Sequence, residues 1–250
     1  MVCWLTGLDV GRAPWDVPEN GFSGLSLAVN GGECVALAGP AGAVSAALRI
    51  LAGDERPSCG AVRVLHAGVE VEVTGARPER LLEIRRITIG TVESGRRLPP
   101  DLTGIETVAG PALRAGRAWD PAADTARRVL GALGVPGTLF HRTIGHWPAA
   151  ERRKLPAALA FAIDYPVILA DNPLRGLDGA GRRGVERLLA QAVARGSAVV
   201  VAGDGAHLAG RAVTVAVAAV PSSPAKRCAK RRDANFAPEA RGGICYLNPS

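Results

Sequence analysis

No apolar run in this sequence approaches the roughly 18 residues that a bilayer-crossing helix needs, so any link to a membrane is expected to pass through a partner. The first twelve residues lack a basic stretch followed by an apolar one, and no secretory leader is expected. The five cysteines, Cys3, Cys34, Cys59, Cys228 and Cys245, form no CxxC pair and have no metal-ligand spacing. That excludes a disulfide framework and points to a reducing compartment. Lysine is nearly missing. Only Lys154, Lys226 and Lys230 occur, so the formal net charge of +7 is carried almost wholly by arginine. Part of the excess lies in one cluster, residues 226–232, which reads as a solvated face or, more sharply, as a contact for nucleic acid or anionic lipid.

What is present is ordinary for a globular chain: 250 residues, 48% hydrophobic and 21% charged. That length allows a sizeable core in one large domain, or one domain with an appendage. Short apolar runs at 24–29, 33–38, 62–73, 87–92, 167–170, 198–202 and 212–220 read as strands. Helix-like stretches at 43–52, 103–134, 151–163 and 182–195 lie between them, with interruptions expected near Gly110 and Pro121 and a kink at Pro156. Alternation of this kind predicts an α/β fold with a largely parallel sheet, and the unbroken run Val167-Ile168-Leu169-Ala170 fits a strand buried on both faces. From Pro221 the pattern dissolves into Pro, Ser, Arg and Gly, so residues 221–250 are expected to be a basic, disordered tail.

The stretch Gly39-Pro40-Ala41-Gly42-Ala43-Val44-Ser45-Ala46-Ala47 follows a strand and opens a helix. A phosphate-binding loop requires this setting, because backbone N–H groups at a helix N-terminus cradle the phosphates. Such a loop also needs a Lys for the terminal phosphates and a Ser or Thr hydroxyl for Mg²⁺. Ser45 stands at the Lys position, Ala46 at the hydroxyl position, and Val44 replaces a glycine. Taken alone, the stretch reads as a plain strand–turn–helix.

Five further landmarks in order change that reading. They are Leu51-Ala52-Gly53 with Pro57-Ser58-Cys59-Gly60, Ile89 through Ser94 with Leu98-Pro99, Trp147 through Lys154, Val167 through Pro173, and Gly176-Leu177-Asp178. Together they resemble the ATP-binding subunits of ABC transporters, nearest the branch serving lipoprotein release and macrolide export. The likeness runs from about residue 20 to residue 218. The spacings agree: Asp171 follows Glu151 by 20 positions and precedes Asp178 by 7. The resemblance implies an ABC-type P-loop NTPase fold over residues 1–220. It comprises a small N-terminal antiparallel β part, a parallel core sheet and a helical subdomain at about 95–160. It also implies a permease subunit or an active ATP-binding subunit as partner, and a cytoplasmic place at the inner face of the cell membrane. Nucleic acid is not the expected partner.

Against the family pattern, the site residues depart almost everywhere. Ser94 holds the Q-loop position. Pro148, Ala149 and Ala150 replace the serine and glycines of the signature. Asn172 replaces the glutamate that polarises water, and an amide is no general base. The switch histidine gives way to Gly203 or Asp204, His207 belongs to the following helix, and Trp15 is the one candidate to stack on adenine. Asp171 survives as a weak Mg²⁺ anchor. ATP with Mg²⁺ is thus expected to bind weakly or not at all, and hydrolysis to be negligible. The reading that follows is a pseudo-ATPase subunit. Its rivals are an ATPase with unorthodox residues and a regulatory module that uses the basic tail.

Overall fold

The structure is a computed structural model that describes residues 2–12, 21–93 and 97–215. In chain order its strands are β1 (Cys3–Arg12), β2 (Phe22–Asn30), β3 (Cys34–Ala38), β4 (Cys59–His66), β5 (Val69–Glu72), β6 (Ile89–Val92), β7 (Val167–Asp171), β8 (Ala198–Ala202) and β9 (Arg211–Thr214). The helices are α1 (Ala41–Leu51), α2 (Pro78–Ile87), α3 (Gly104–Arg114), α4 (Trp119–Ala132), α5 (Ala149–Arg152), α6 (Leu155–Ala160) and α7 (Gly179–Ala194). Strands β2-β1-β4-β5 form an antiparallel sheet, and β6-β7-β8-β3-β9 form a five-stranded sheet whose pairs are all parallel.

The parallel sheet divides the core by the period-2 rule of strands. Val167, Leu169, Ala198, Val200 and Ala202 face α1 and the antiparallel sheet, in one apolar cluster. Ile168, Ala170, Val199 and Val201 face the other way, into the cluster built with α3, α4, α6 and α7. The runs read as unbroken apolar strands are therefore buried on both sides, as their composition requires.

Three expectations need correction. The helix α3 runs through Gly110 and Pro111 without a break, and Pro121 sits in the first turn of α4, where its missing N–H has no carbonyl to serve. The true break lies at residues 115–118, where Gly116 takes φ +85° after the end of α3. The helix expected over 151–163 is instead two short ones, α5 and α6. Pro156 falls in the first turn of α6, so the chain breaks just before it rather than kinking at it. Finally, α2 was not foreseen, although Pro78 opens it, Glu79 lies in its first turn and Arg85 and Arg86 in its last. The expected strand at 212–220 is described only as far as residue 215, and β9 within it ends at Thr214. The tail from residue 221 lies outside the described residues.

Candidate functional site

Strands β3, β7 and β8 end level with one another: Asp171 pairs with Ala202, and Leu37 pairs with the same residue from the other side. In open α/β sheets ligands bind outside this carboxyl edge. Only Gly39 and Pro40 lie between β3 and α1, and α1 packs against β7, so the candidate phosphate turn and Asp171 lie at the same edge of the sheet.

The turn itself is compact. Val44 N donates to Pro40 O at 3.0 Å, so Val44 is already inside the helix. The N–H groups of Ala41, Gly42 and Ala43 precede it in the first turn, where a helix has no intrahelical partners for them. Val44 is 4% exposed, and its Cγ2 lies 3.4 Å from where a Cβ on Gly39 would be. Gly39 has to be glycine: at φ +153° an added Cβ would stand 2.6 Å from the Val215 carbonyl. Ala43, Ala46 and Ala47 are fully buried, and Ser45 is half-buried. The single charged residue of α1 is Arg49, in its last turn, paired with Glu55 at 2.6 Å.

Beside the turn, Asn172 follows β7 with φ +47°, a left-handed conformation that asparagine tolerates better than most residues. Its Nδ2 donates to Asp171 Oδ1 at 2.7 Å. One oxygen of the expected Mg²⁺ anchor is thus already engaged within the chain. The Asn172 amide also lies over Gly203: a Cβ there would come 2.1 Å from Asn172 Oδ1. Gly203, at φ +68°, directly follows β8. Asp204 is exposed and accepts from Leu174 N at 3.1 Å. His207 sits in the 3₁₀ turn Gly203–Leu208, exposed, 3.3 Å from Glu186. Among the described residues no group of His, Cys, Asp and Glu is placed to hold a metal ion. Ser94 and Trp15 lie outside the described residues.

The signature segment forms a second centre. Trp147 is buried and donates to Arg142 O at 3.0 Å, while Pro148, Ala149 and Ala150 are exposed at the start of the four-residue α5. Lys154, 1% exposed, ties this segment to the rest. Its Nζ lies 3.1 Å from Asp178 Oδ2 and donates to Gly134 O at 3.3 Å. Glu151 Oε2, 3.0 Å away, meets the ammonium as a close charge rather than as an aligned hydrogen bond. Asp178 also caps α7 by accepting from Gly181 N at 2.7 Å. That backbone bond first, and Lys154 second, hold its carboxyl below the ordinary carboxylate range. The sequence reading placed Lys154 in the signature without seeing this role. Its signal was that it is the one lysine before the tail.

A strand–turn–helix at the carboxyl edge of a parallel sheet, with an aspartate ending β7, one strand removed beyond β8, defines a mononucleotide-binding type of domain. The profile of the ABC transporter family matches residues 22–175. An uncharacterized ABC transporter ATP-binding protein of Mycobacterium tuberculosis is 33% identical over 181 residues, covering 72% of this chain and 53% of that protein. The lipoprotein-releasing system ATP-binding protein LolD of Idiomarina loihiensis is 30% identical over 166 residues, covering 66% of this chain and 71% of LolD. The macrolide export ATP-binding/permease protein MacB of Rhodopseudomonas palustris is 31% identical over 192 residues, 76% of this chain but 28% of that protein. The chain thus spans about half the length of the mycobacterial relative. A dimeric ATP-binding cassette solved with ADP and Pi superposes at TM-score 0.73 and 22% identity, covering 85% of this chain and 94% of that one, which speaks for the fold. The chain belongs to the ABC transporter family, and among its relatives are ATP-binding proteins of lipoprotein release and macrolide export. Among the described residues no helix is long and apolar enough to cross a membrane.

Proposed function

We propose that this subunit is a pseudo-ATPase: residues 1–220 keep the cassette architecture for assembly with a membrane permease, an active ATP-binding subunit or both, while its own nucleotide site is degenerate. One observation carries this reading. The turn that would wrap the phosphates is wound into α1, with Val44 packed back on Gly39 and no cation in the first turn. What remains for Mg²⁺-ATP is a few backbone N–H groups, the field of one helix end and the free oxygen of Asp171. That donor set does not fit a tightly held nucleotide. Asn172 supplies no base. The exposed Pro148-Ala149-Ala150 lacks a hydroxyl for a phosphate across an assembly.

Magnitudes favour loss of turnover. Phosphoryl transfer rests on positioning and charge stabilisation, and a single lost donor of this kind costs about 10²–10³ in rate. Such losses do not multiply freely, yet several coincide here. The likeness to proteins named for lipoprotein release and macrolide export supports transport as the setting, at the inner face of the cell membrane. The test is calorimetric titration of the purified chain with ATP, with and without Mg²⁺. No binding up to millimolar ATP is expected. Micromolar binding would overturn the reading.

A further inference from the structure

Helices α3 and α4 are joined by a tight turn at residues 115–118. Gly116 N donates to Leu113 O at 2.9 Å and Arg117 N to Ala112 O at 3.0 Å, so the turn is ordered by its own backbone. Of residues 113–121 only Ala115 is turned partly inward, and the other eight are exposed. A Cβ on Gly116, at φ +85°, would meet nothing within 4 Å. The tip of this helical pair therefore projects rather than packs. Two of its exposed side chains are large and apolar: Leu113 is 37% exposed and Trp119 46%. Among the described residues no other aromatic side chain is so open. Trp4 Nε1 donates to Gly196 O at 3.1 Å, and Trp147 Nε1 is likewise engaged within the chain. The Trp119 indole N–H has no partner among the described residues. Arg114 and Arg117 flank the turn, and neither has a carboxylate within ion-pair distance among the described residues. Asp120 is the single acid of the tip. Farther along α4 the charges do pair: Arg127 meets Asp124 at 2.8 Å.

An indole has an apolar body and a polar N–H, and it settles at the boundary between lipid headgroups and hydrocarbon. Arginine lays its apolar stem along such a boundary and keeps its guanidinium among the phosphates. A leucine, an unpartnered indole and two unpaired guanidinium groups on one projecting turn are the parts of an interfacial anchor. A stable protein–protein interface takes about 20–30 residues a side. Nine residues on a convex turn fall short of that, whereas a bilayer surface asks for no matching shape.

We propose that the α3–α4 tip seats on the surface of an anionic bilayer, with Trp119 and Leu113 at the headgroup boundary and Arg114 and Arg117 on lipid phosphates. The inference rests on the membrane setting proposed above, not on the loss of ATP binding. Stable anchoring takes two signals, so this single tip orients a subunit that a partner already holds at the membrane. Its hold is weak and reversible. Each arginine near an anionic surface strengthens binding about fivefold, and Asp120 offsets part of that gain.

The test adds the full chain to vesicles of equal parts phosphatidylglycerol and phosphatidylcholine, the latter brominated along its acyl chains so that it quenches an indole on contact. Vesicle binding as such is not the readout, because the basic cluster at 226–232 could hold the chain on the same vesicles. Quenching of part of the wild-type emission is expected. Trp119→Phe, which leaves the other tryptophans in place, should lose that part. Arg114→Gln/Arg117→Gln should raise the lipid needed for half-quenching at least about tenfold, and so should vesicles of brominated phosphatidylcholine alone. Leu113→Ser keeps the indole and should weaken the quenching as well, so the test stands even if the Trp119 variant melts abnormally. The inference is overturned if the wild type is not quenched, if quenching persists in Trp119→Phe, or if neutral vesicles quench equally. Retention of a membrane protein by the immobilised chain that Trp119→Ser abolishes, with no quenching by lipid, would assign the tip to a protein partner instead. The ATP titration is independent. No quenching with no ATP binding removes this contact alone, whereas quenching with micromolar ATP binding removes the pseudo-ATPase reading alone.

Discussion

Two ends of the same fold have met opposite fates. At the N-terminus of α1 the chain presents Val44, Ser45, Ala46 and Ala47, apolar or nearly so, and drawn into the helix. Where the signature segment meets α7, the buried Lys154, with Glu151, the part-exposed Asp178 and the Gly134 carbonyl, makes a polar junction joining α5, α7 and the end of α4. The first region presents only small or apolar side chains, Ser45 apart, and no charge. The second keeps side chains that touch one another. Contacts between elements and contacts to nucleotide are therefore separable in this architecture, since the parallel sheet is held by both-face burial and asks nothing of the phosphate turn.

The sharpest way to break the comparison is to damage the junction. Lys154→Met leaves two carboxylates facing each other without their cation. Removing one partner of a buried pair costs about 3–5 kcal/mol. Because the Asp178 side chain is 47% exposed, the lower end is expected. Denaturant unfolding reads the loss directly. A change under about 1 kcal/mol would mean that the junction is not what binds the signature to α7.

Next in size is repair of the phosphate turn. The variant Val44→Gly/Ser45→Lys/Ala46→Ser should lose about 2–3 kcal/mol, from the vacated side chain and a glycine within the helix. It should also bring ATP binding into a measurable range while phosphate release stays at background, because Asn172 is unchanged. Turnover in this variant would show that a base exists elsewhere, and the contrast between the two regions would then be one of affinity alone.

How much of this was legible beforehand follows the same division. The parallel sheet was visible in the continuous apolar runs, since burial on both faces leaves a direct trace in composition. The order of the landmarks carried the family. Helix ends were read less well around Gly110 and Pro121: Gly110 keeps a negative φ inside α3, Pro121 sits in the first turn of α4 where no N–H is needed, and α3 even takes Pro111 into its interior. Substituted positions were readable as departures, but their geometry was not. Nothing in Asn172 or Gly203 as letters says that the amide of one occupies the space left by the other. Nor does a lone lysine announce that it will be buried between two acids.

That interlock yields a smaller effect. Gly203→Ala forces a Cβ into the Asn172 amide at a residue with φ +68°, and should cost about 1–3 kcal/mol. Combined with Asn172→Ala the clash is relieved but the strained φ is not, so the double variant should be less unstable than the sum by about 1 kcal/mol. Strict additivity would mean that the two residues do not share this space.

The smallest expected effect is acid sensitivity, and it separates the junction from the rest of the molecule. His66 is buried against Thr88, 2.7 Å from its hydroxyl, and burial lowers its pKa from the ordinary 6.5. A base that resists protonation when folded contributes stability present above pH 6.5, and loses it as pH falls below that value. Asp178 has its carboxyl held below the ordinary 3.8, so its contribution persists through that first window and declines only as pH falls below 3.8. Unfolding curves from pH 7 to pH 3 should therefore show an early decline that a His66→Gln variant lacks. The later decline should be weakened by Asp178→Asn. If the early decline survived in the His66 variant, the first window would belong to another group. If the late one survived in the Asp178 variant, it would belong to another carboxylate held below its ordinary range, such as Glu106 in the capping box of α3.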